Sequence, residues 1–224
     1  DLDKWIKVDS ILSKKKEKVT IAVVGKYIKL NDAYKSVYEA LKHAAIFNQV
    51  DLNIIKVDSE EVEGDSSIID SITTQADGIL VPGGFGNRGI EGKISIIKKA
   101  RECKIPYFGI CLGMQCMTIE FARNVLGIKD ANSSEFSETL HPVIHIMEDQ
   151  KSIDKKGGTM RLGAYQCEIK KDTLAFKIYN ETSVSERHRH RYEFNNEYEK
   201  LFCENGFIIS GKNKEKNLTE IVEW

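Results

Sequence analysis

A cysteine flanked by two glycines carries the clearest signal of chemistry in the sequence. Residues 109–113 have the sequence Gly-Ile-Cys-Leu-Gly and follow directly on an apolar stretch. A side chain on a sharp turn between a strand and a helix needs small neighbours, because larger groups would collide there. The N-terminus of the following helix favours the thiolate, the nucleophilic form of cysteine. The pattern predicts that Cys111 is a catalytic nucleophile; the alternative is a structural cysteine buried before a helix.

A glycine-rich segment supplies a second backbone element. Residues 82–89 have the sequence Pro-Gly-Gly-Phe-Gly-Asn-Arg-Gly and follow another apolar run. Such a backbone can approach a ligand closely and point N–H groups at it. One N–H of this loop and the N–H of Leu112 are predicted to form an oxyanion hole. A phosphate-binding loop is the alternative, but the pattern G-x-x-x-x-G-K-[ST] is absent.

Alternating strands and helices would position these segments. Buried strands are predicted over 19–24, 52–57, 78–81 and 105–110. Helices are predicted after Asn31-Asp32 and over 91–103 and 112–126, with loops at 58–67 and 148–157. The second half is less regular, with strands over 143–147, 161–169, 207–210 and 218–222 and short helices over 173–179 and 197–204. This order predicts an α/β fold with a mostly parallel central sheet flanked by helices.

Composition excludes several classes of function. The chain has 224 residues and 25.4 kDa, with 33 basic and 34 acidic residues. The net charge of -1 excludes bulk attraction to nucleic acid or to an anionic membrane as the main activity. Its apolar runs are far shorter than the ~20 residues that span a bilayer. The charged start at residues 1–7 is unlike a secretory signal, and the missing initiator Met suggests part of a longer chain.

Five cysteines are present, and none forms a C-x-x-C pair. An odd number in a chain of this length favours a reduced, cytoplasmic location, and no metal site is predicted. Apart from Cys111, the cysteines are predicted to be small buried hydrophobic residues: Cys103, Cys116, Cys167 and Cys203.

Several segments together resemble the class I glutamine amidotransferases, whose architecture is flavodoxin-like. The resembling segments are 19–27, 30–34, 81–89, 109–115, 129–136, 157–163 and 186–195. Within the family, GGTMRLG at 157–163 and ERHRHRYEFN at 186–195 resemble the glutaminase domain of the members that use ATP to aminate UTP to CTP. These strings argue against other members, such as the guanylate or carbamoyl-phosphate enzymes.

The resemblance implies a reaction and a set of residues. The Cys111 thiolate attacks the side-chain amide carbon of glutamine, ammonia leaves, and water releases glutamate from a thioester. Gly84 and Leu112 would supply the oxyanion-hole N–H groups, Glu135 would hold the α-ammonium, and Arg191 the α-carboxylate. The full set of glutamine-binding positions is Gly84, Leu112, Gly113, Met114, Gln115, Glu135 and Arg191.

Three of the arginines lie in Arg-His-Arg-His-Arg at 187–191, and planar bidentate recognition of a carboxylate suits arginine. The alternative is a basic patch for nucleic acid or for localisation. Acidic and aromatic flanking residues, among them Glu186 and Tyr192, disfavour that alternative.

The resemblance also implies an organisation. Residues 1–18 would link to an N-terminal synthase domain, and 19–224 would form the amidotransferase domain without its C-terminal end. ATP and Mg²⁺ would bind in the synthase domain, and no cofactor is expected in the amidotransferase domain. GTP would activate glutamine hydrolysis, with Arg88 as one contact. The full-length enzyme would be a homotetramer.

The family's catalytic base lies in an H-P-E motif that these residues lack, since His141-Pro142 is followed by Val143. The 224-residue polypeptide is therefore expected to be inactive. The alternative from another class is a non-catalytic glutamine- or nucleotide-binding module.

Overall fold

The computed structural model describes residues 2–14, 16–30, 32–146 and 160–224. Two compact units divide the chain, Asp1–Cys116 and Met117–Trp224.

The first unit contains a parallel four-stranded sheet in the order β2-β1-β3-β4. Its strands are β1 (Lys18–Gly25), β2 (Asp51–Asp58), β3 (Gly78–Val81) and β4 (Tyr107–Gly109). Its helices are α1 (Leu2–Leu12), α2 (Lys35–Asn48), α3 (Ser59–Gly64), α4 (Ser67–Gln75), α5 (Ile90–Cys103) and the start of α6 (Leu112–Asn124). β3 is buried throughout and β1 is buried from Ala22 to Val24, as expected for central strands of a parallel sheet. The prediction that the strand before Cys111 is buried is wrong, because β4 is partly exposed and its Phe108 is 63% exposed. The predicted α/β class with a parallel sheet is confirmed.

The predicted loop at 58–67 is wrong, because α3 and the start of α4 occupy it. The Asp58 side chain caps α3 by accepting a hydrogen bond from the Glu60 N–H over 3.0 Å. The helix expected directly after Asn31-Asp32 begins later, at Lys35. Hydrogen-bonded turns precede the helix instead, with the Leu30 N–H donating to the Tyr27 carbonyl and the Lys35 N–H to the Asp32 carbonyl.

The second unit contains two sheets. One is antiparallel, in the order β11-β10-β7-β8, and the other has the order β5-β6-β9, with β5 and β6 parallel. The strands are β5 (Asn132–Ser133), β6 (Pro142–Ile146), β7 (Arg161–Ile169), β8 (Ser183–His190), β9 (Tyr192–Phe194), β10 (Ile208–Asn213) and β11 (Leu218–Glu223). Helices α7 (Leu174–Tyr179) and α8 (Glu199–Glu204) complete it, with a 3₁₀ turn at Asn196–Tyr198. Among the described strands, the sheet that is parallel throughout is therefore the one in the first unit, and β5–β6 is a parallel pair in the second.

Four buried phenylalanines form the core of the second unit. Their ring centroids are 4.9 to 6.3 Å apart in the contacting pairs. They are Phe121, Phe194, Phe202 and Phe207. The predicted strand at 143–147 is observed as β6, whereas Met147 and the predicted loop at 148–157 lie outside the described residues.

No helix among the described residues has both the length and the apolar character needed to cross a membrane.

Candidate active site

Cys111 lies on a tight turn between a strand and a helix. β4 ends at Gly109 and α6 begins at Leu112. The φ of Cys111 is +54°, in the left-handed region that residues other than glycine adopt uncommonly. The turn is closed by the Gly113 N–H, which donates to the carbonyl oxygen of Ile110 over 2.9 Å. The predicted strand-to-helix elbow is therefore present, and it projects the cysteine from the edge of the sheet.

The two glycines beside Cys111 are required by close backbone approaches. A Cβ on Gly113 would lie 2.3 Å from the carbonyl oxygen of Val81. A Cβ on Gly109 would lie 2.5 Å from the carbonyl carbon of Gly113 and 2.7 Å from the backbone nitrogen of Met114. All three distances are far below van der Waals contact, so the structure confirms that the Gly-x-Cys-x-Gly pattern has a steric cause.

The glycine loop begins beside this turn. Val81, the last residue of β3, is the parallel partner of Gly109, so the segments after both strands start at the same edge of the sheet. A Cβ on Gly83 would be 3.9 Å from the Cys111 Sγ. A Cβ on Gly84 would be 3.2 Å from a methyl carbon of Leu112. The two residues predicted to supply oxyanion-hole N–H groups are therefore neighbours.

The tip of the glycine loop is held by the first strand. The Lys26 ammonium donates to the carbonyl oxygen of Phe85 and lies 5.2 Å from the centre of the Tyr27 ring. Because a lysine at the end of β1 is an ordinary surface residue in sequence, this contact could not be expected from the residue pattern.

The far end of the glycine loop is held by a buried lysine. Lys93 is 1% exposed, and its ammonium donates to the Ser59 hydroxyl over 2.9 Å and to the Gly89 carbonyl over 3.1 Å. Burial lowers the pKa of Lys93. A Cβ on Gly89, whose φ is +67°, would lie 2.3 Å from the Ser59 Oγ. The loop is thus anchored to the N-terminal ends of α3 and α5.

The five cysteines differ in exposure. Cys111 is partly exposed, and Cys116 and Cys167 are buried, as predicted. Burial raises the pKa of the Cys167 thiol to about 12. The prediction of burial is wrong for Cys103 and Cys203, which lie at or near the C-terminal ends of α5 and α8 and are exposed.

The predicted substrate-binding residues after Cys111 fall in the first turn of α6. Gly113 and Gln115 are buried there, whereas Met114 is partly exposed. The Gln115 N–H donates to the carbonyl oxygen of Cys111 over 3.1 Å. The helix therefore continues directly from the nucleophile's own peptide unit.

Glu135 and Arg191 lie near the same end of the three-stranded sheet of the second unit. Glu135 follows β5 by two residues, and Arg191 directly precedes β9. The register pairs Ser133 with Ile144 and Ile146 with Tyr192, which brings these two positions to one end. Burial and the Glu135 charge raise the pKa of Tyr192, and Arg191 opposes them. Both predicted groups therefore act on one aromatic side chain.

The basic residues at 187–191 do not share one face. Along β8, Arg187 and Arg189 are exposed, whereas His188 and His190 alternate with them and are mostly covered. Arg191 lies outside the strand, between β8 and β9. Arg191, the residue predicted to bind the α-carboxylate, therefore lies in a different environment from the exposed Arg187 and Arg189.

A buried ionic network in the second unit was missed by sequence reasoning. The Arg161 guanidinium binds the carboxylates of Glu193 and Glu220, and all three side chains are at most 3% exposed. His188 Nδ1 lies 3.4 Å from the Glu220 carboxylate, and His190 Nδ1 lies 3.7 Å from that of Glu193. Burial raises the pKa of Glu193 to about 7 and lowers that of His190 to about 4. Charged residues in strands are normally expected at the surface, so only the repeated charges of 186–193 could have signalled it.

Metal-ligating side chains are not clustered in the part of the chain that the structure describes. No three His, Cys, Asp or Glu side chains there are grouped so as to hold a metal ion. The glycine loop also lacks the lysine and hydroxyl residue of a phosphate-binding loop.

The elbow, the adjacent glycine loop and the parallel sheet are the features expected from the resemblance to the class I glutamine amidotransferases, and the family comparison agrees. Residues 29–223 match the model of the family described as glutamine amidotransferase class-I, and the chain belongs to this family.

The relatives narrow the similarity further. The chain is 54% identical to the CTP synthase of Clostridium acetobutylicum, over all of this chain and 42% of the relative. It is 56% identical to the CTP synthase of a Hydrogenobaculum species, over all of this chain and 41% of that protein. It also resembles a solved structure of the Trypanosoma brucei CTPS glutaminase domain with bound acivicin. There the identity is 44% and the TM-score 0.81, over 90% of this chain and 78% of that chain.

The predicted resemblance to the glutaminase domain of the enzymes that form CTP is therefore confirmed. The chain spans about two fifths of the length of the curated relatives it matches.

Proposed function

We propose that this chain belongs to the cysteine-dependent glutaminase domain of an enzyme that uses the released ammonia to aminate UTP to CTP. The observation that carries the proposal is the position of Cys111, at φ +54° on the elbow and in contact with the glycine loop. This arrangement exposes a thiol at a helix N-terminus, next to backbone N–H groups that can hold an oxyanion.

In the first half of the reaction, the Cys111 thiolate attacks the side-chain carbonyl carbon of glutamine. The N–H groups of Gly84 and Leu112 hold the resulting oxyanion, which stabilises the tetrahedral intermediate. The C–N bond then breaks, the nitrogen takes up a proton, and ammonia leaves a glutamyl thioester on Cys111. Water attacks the thioester carbonyl, the C–S bond breaks, and glutamate and the thiol are released.

The substrate's amino-acid group would be recognised by charged side chains. Glu135 is proposed to bind the α-ammonium and Arg191 the α-carboxylate, each through charge-assisted hydrogen bonds. Gly113, Met114 and Gln115, in the first turn of α6, are proposed to complete the contacts with glutamine. These assignments come from the resemblance and are supported by the shared neighbourhood of Glu135 and Arg191 around Tyr192.

The whole-protein roles are proposals drawn from the same resemblance. Residues 1–18 would lead from a synthase domain, which would bind UTP, ATP and Mg²⁺, and residues 19–224 would act as the glutaminase. GTP would activate glutamine hydrolysis, and the full-length enzyme would be a cytoplasmic homotetramer.

The proposal is tested with 6-diazo-5-oxo-L-norleucine, a glutamine-like electrophile that loses N₂ when a thiolate displaces it. The protein is incubated with the reagent, digested and mapped by mass spectrometry. We expect one adduct, on Cys111, and none on the Cys111→Ser variant. Iodoacetamide, which needs no recognition, is expected to label the exposed Cys103 and Cys203 in both proteins. An adduct on any other cysteine would contradict the proposal.

A non-catalytic glutamine-binding module is the second candidate, because residues 1–224 contain no H-P-E sequence. The same experiment separates the two. A module would bind glutamine in calorimetry without directing the electrophile to Cys111.

A further inference from the structure

Arg191 lies at the corner where the chain passes from one sheet of the second unit to the other. β8 ends at His190 and β9 begins at Tyr192, so Arg191 alone connects them. β8 belongs to the four-stranded sheet and β9 to the three-stranded one. The direction of the Arg191 side chain therefore depends on how the two strands are held relative to each other.

One buried guanidinium ties the two sheets together beside this corner. Arg161, the first residue of β7, is the register partner of His190 on β8. Its Nη1 donates to Oε1 of Glu193 on β9 over 3.2 Å, and to Oε2 of Glu220 on β11 over 3.3 Å. Arg161 therefore contacts the strands on both sides of Arg191.

The contacts are shielded from water. The side chains of Arg161, Glu193 and Glu220 are 1%, 3% and 2% exposed. The guanidinium also lies 4.2 Å from the centre of the Tyr165 ring, which restricts its plane. Forked, buried contacts of this kind define a geometry more sharply than exposed ion pairs, which solvent and salt weaken.

A purely stabilising role explains this network poorly. Desolvation offsets much of the attraction within a buried ion pair, so such pairs contribute little net stability compared with well-packed apolar groups. A geometric role explains why two carboxylates from different sheets share one guanidinium at this corner.

We infer that Arg161 and Glu193 are positioning residues that hold Arg191 in the direction needed to bind a substrate carboxylate. The inference rests on the proposed function, in which Arg191 binds the α-carboxylate of glutamine. It adds two residues that do not touch the substrate but determine how well it is recognised.

The test compares two ligands that differ only at the group Arg191 would bind: L-glutamine and its α-carboxamide. The ratio of their affinities, measured by calorimetry, isolates the carboxylate contact because the other contacts are shared. It is determined for the wild-type chain, Arg191→Ala, Glu193→Gln and Arg161→Lys. Glu168→Gln is the matched control, since it makes the same chemical change at an exposed residue of β7 that pairs with Lys214. Circular dichroism establishes whether each variant is folded. If Glu193→Gln does not fold, Arg161→Lys provides the test instead.

We expect the wild-type chain to prefer glutamine by about tenfold or more, as for loss of a charged hydrogen bond. Arg191→Ala should abolish the preference, Glu193→Gln should reduce it at least about threefold, and Glu168→Gln should retain it. Arg161→Lys should give an intermediate ratio, because one ammonium cannot reproduce a forked guanidinium.

A full preference in Glu193→Gln and Arg161→Lys, with loss in Arg191→Ala, would overturn the inference and leave the proposed function standing. A wild-type chain that does not prefer glutamine would overturn the proposed role of Arg191, and the inference with it.

Discussion

Gly83 and Cys111 lie in contact across the ends of two adjacent parallel strands. A Cβ atom on Gly83 would be 3.4 Å from the Cβ of Cys111. The contact follows from the register, because β3 and β4 end at the paired residues Val81 and Gly109. The backbone that would hold an oxyanion is thereby placed beside the sulfur that would create it.

Replacing Gly113 should destabilise the elbow. In Gly113→Ala the new methyl would lie 2.3 Å from the Val81 carbonyl oxygen, a backbone atom that cannot move alone. Overpacking of this kind costs about 1–3 kcal/mol, so urea unfolding should show a clearly lower midpoint. Gly64→Ala is the matched control, since a Cβ there meets nothing within 4 Å. Equal midpoints for the two variants would show that the elbow is not closely packed.

Removing either charged recognition residue should weaken glutamine binding. Glu135→Ala and Arg191→Ala each leave one end of the amino-acid group unpaired, which costs roughly 1.5–3 kcal/mol, or about tenfold or more in Kd. Calorimetry with glutamine measures the effect. Glu138→Ala and Arg189→Ala, at exposed positions nearby, should bind like the wild-type chain. Unchanged binding in both test variants would refute the assigned roles.

The buried Glu193 and His190 should give opposite pH dependences of stability. Burial raises the pKa of Glu193 to about 7, so the unfolded state releases its proton at lower pH than the native state does. Its contribution to stability therefore increases as the pH falls from about 7 to 4.5. Burial lowers the pKa of His190 to about 4, so its contribution decreases as the pH falls from 6.5 to 4.

Single variants separate the two contributions. His190→Asn, which keeps Glu193, should gain stability on acidification, whereas Glu193→Gln, which keeps His190, should lose it. The two changes have opposite signs, so between pH 7 and 4.5 the variants should diverge by an amount on the order of 5 kcal/mol. Urea unfolding at both pH values measures this difference, in which the titration of other groups cancels. Parallel pH profiles for the two variants would show that neither group has a shifted pKa.

Residues 1–224 should hydrolyse glutamine very slowly. Residues 1–224 include the proposed oxyanion-hole residues Gly84 and Leu112, but they contain no H-P-E motif to supply the base. Loss of such a group costs several orders of magnitude in rate. Glutamate release is to be compared among this chain, the chain extended by a segment carrying H-P-E, and a full-length enzyme with GTP. We expect the rate to rise in that order. A full-length rate from residues 1–224 would mean that an internal group, such as His141, acts as the base.

The elbow was predictable because its causes are local in sequence. Two glycines and a short strand directly before a helix favour the turn at Cys111, and the four-strand parallel sheet follows from apolar runs of strand length. The helix α3 was missed because its acidic sequence has no apolar periodicity; it depends on the Asp58 cap and on packing with α5 at Gly92, where a Cβ would be 2.1 Å from the Ser59 carbonyl oxygen. The network around Arg161 was missed because its partners are distant in sequence, and Glu220 lies 59 positions away.

The positive φ of Cys111 means that folding stability and thiol reactivity place opposite demands on this residue. A non-glycine residue in a sparsely populated backbone conformation costs of order 1–3 kcal/mol, which glycine would avoid. A laboratory selection for thermal resistance alone would therefore be expected to enrich Cys111→Gly and to discard the thiol. Programmes that engineer this domain for durability need a screen for thiol reactivity alongside heat treatment, because the two properties trade off at this position.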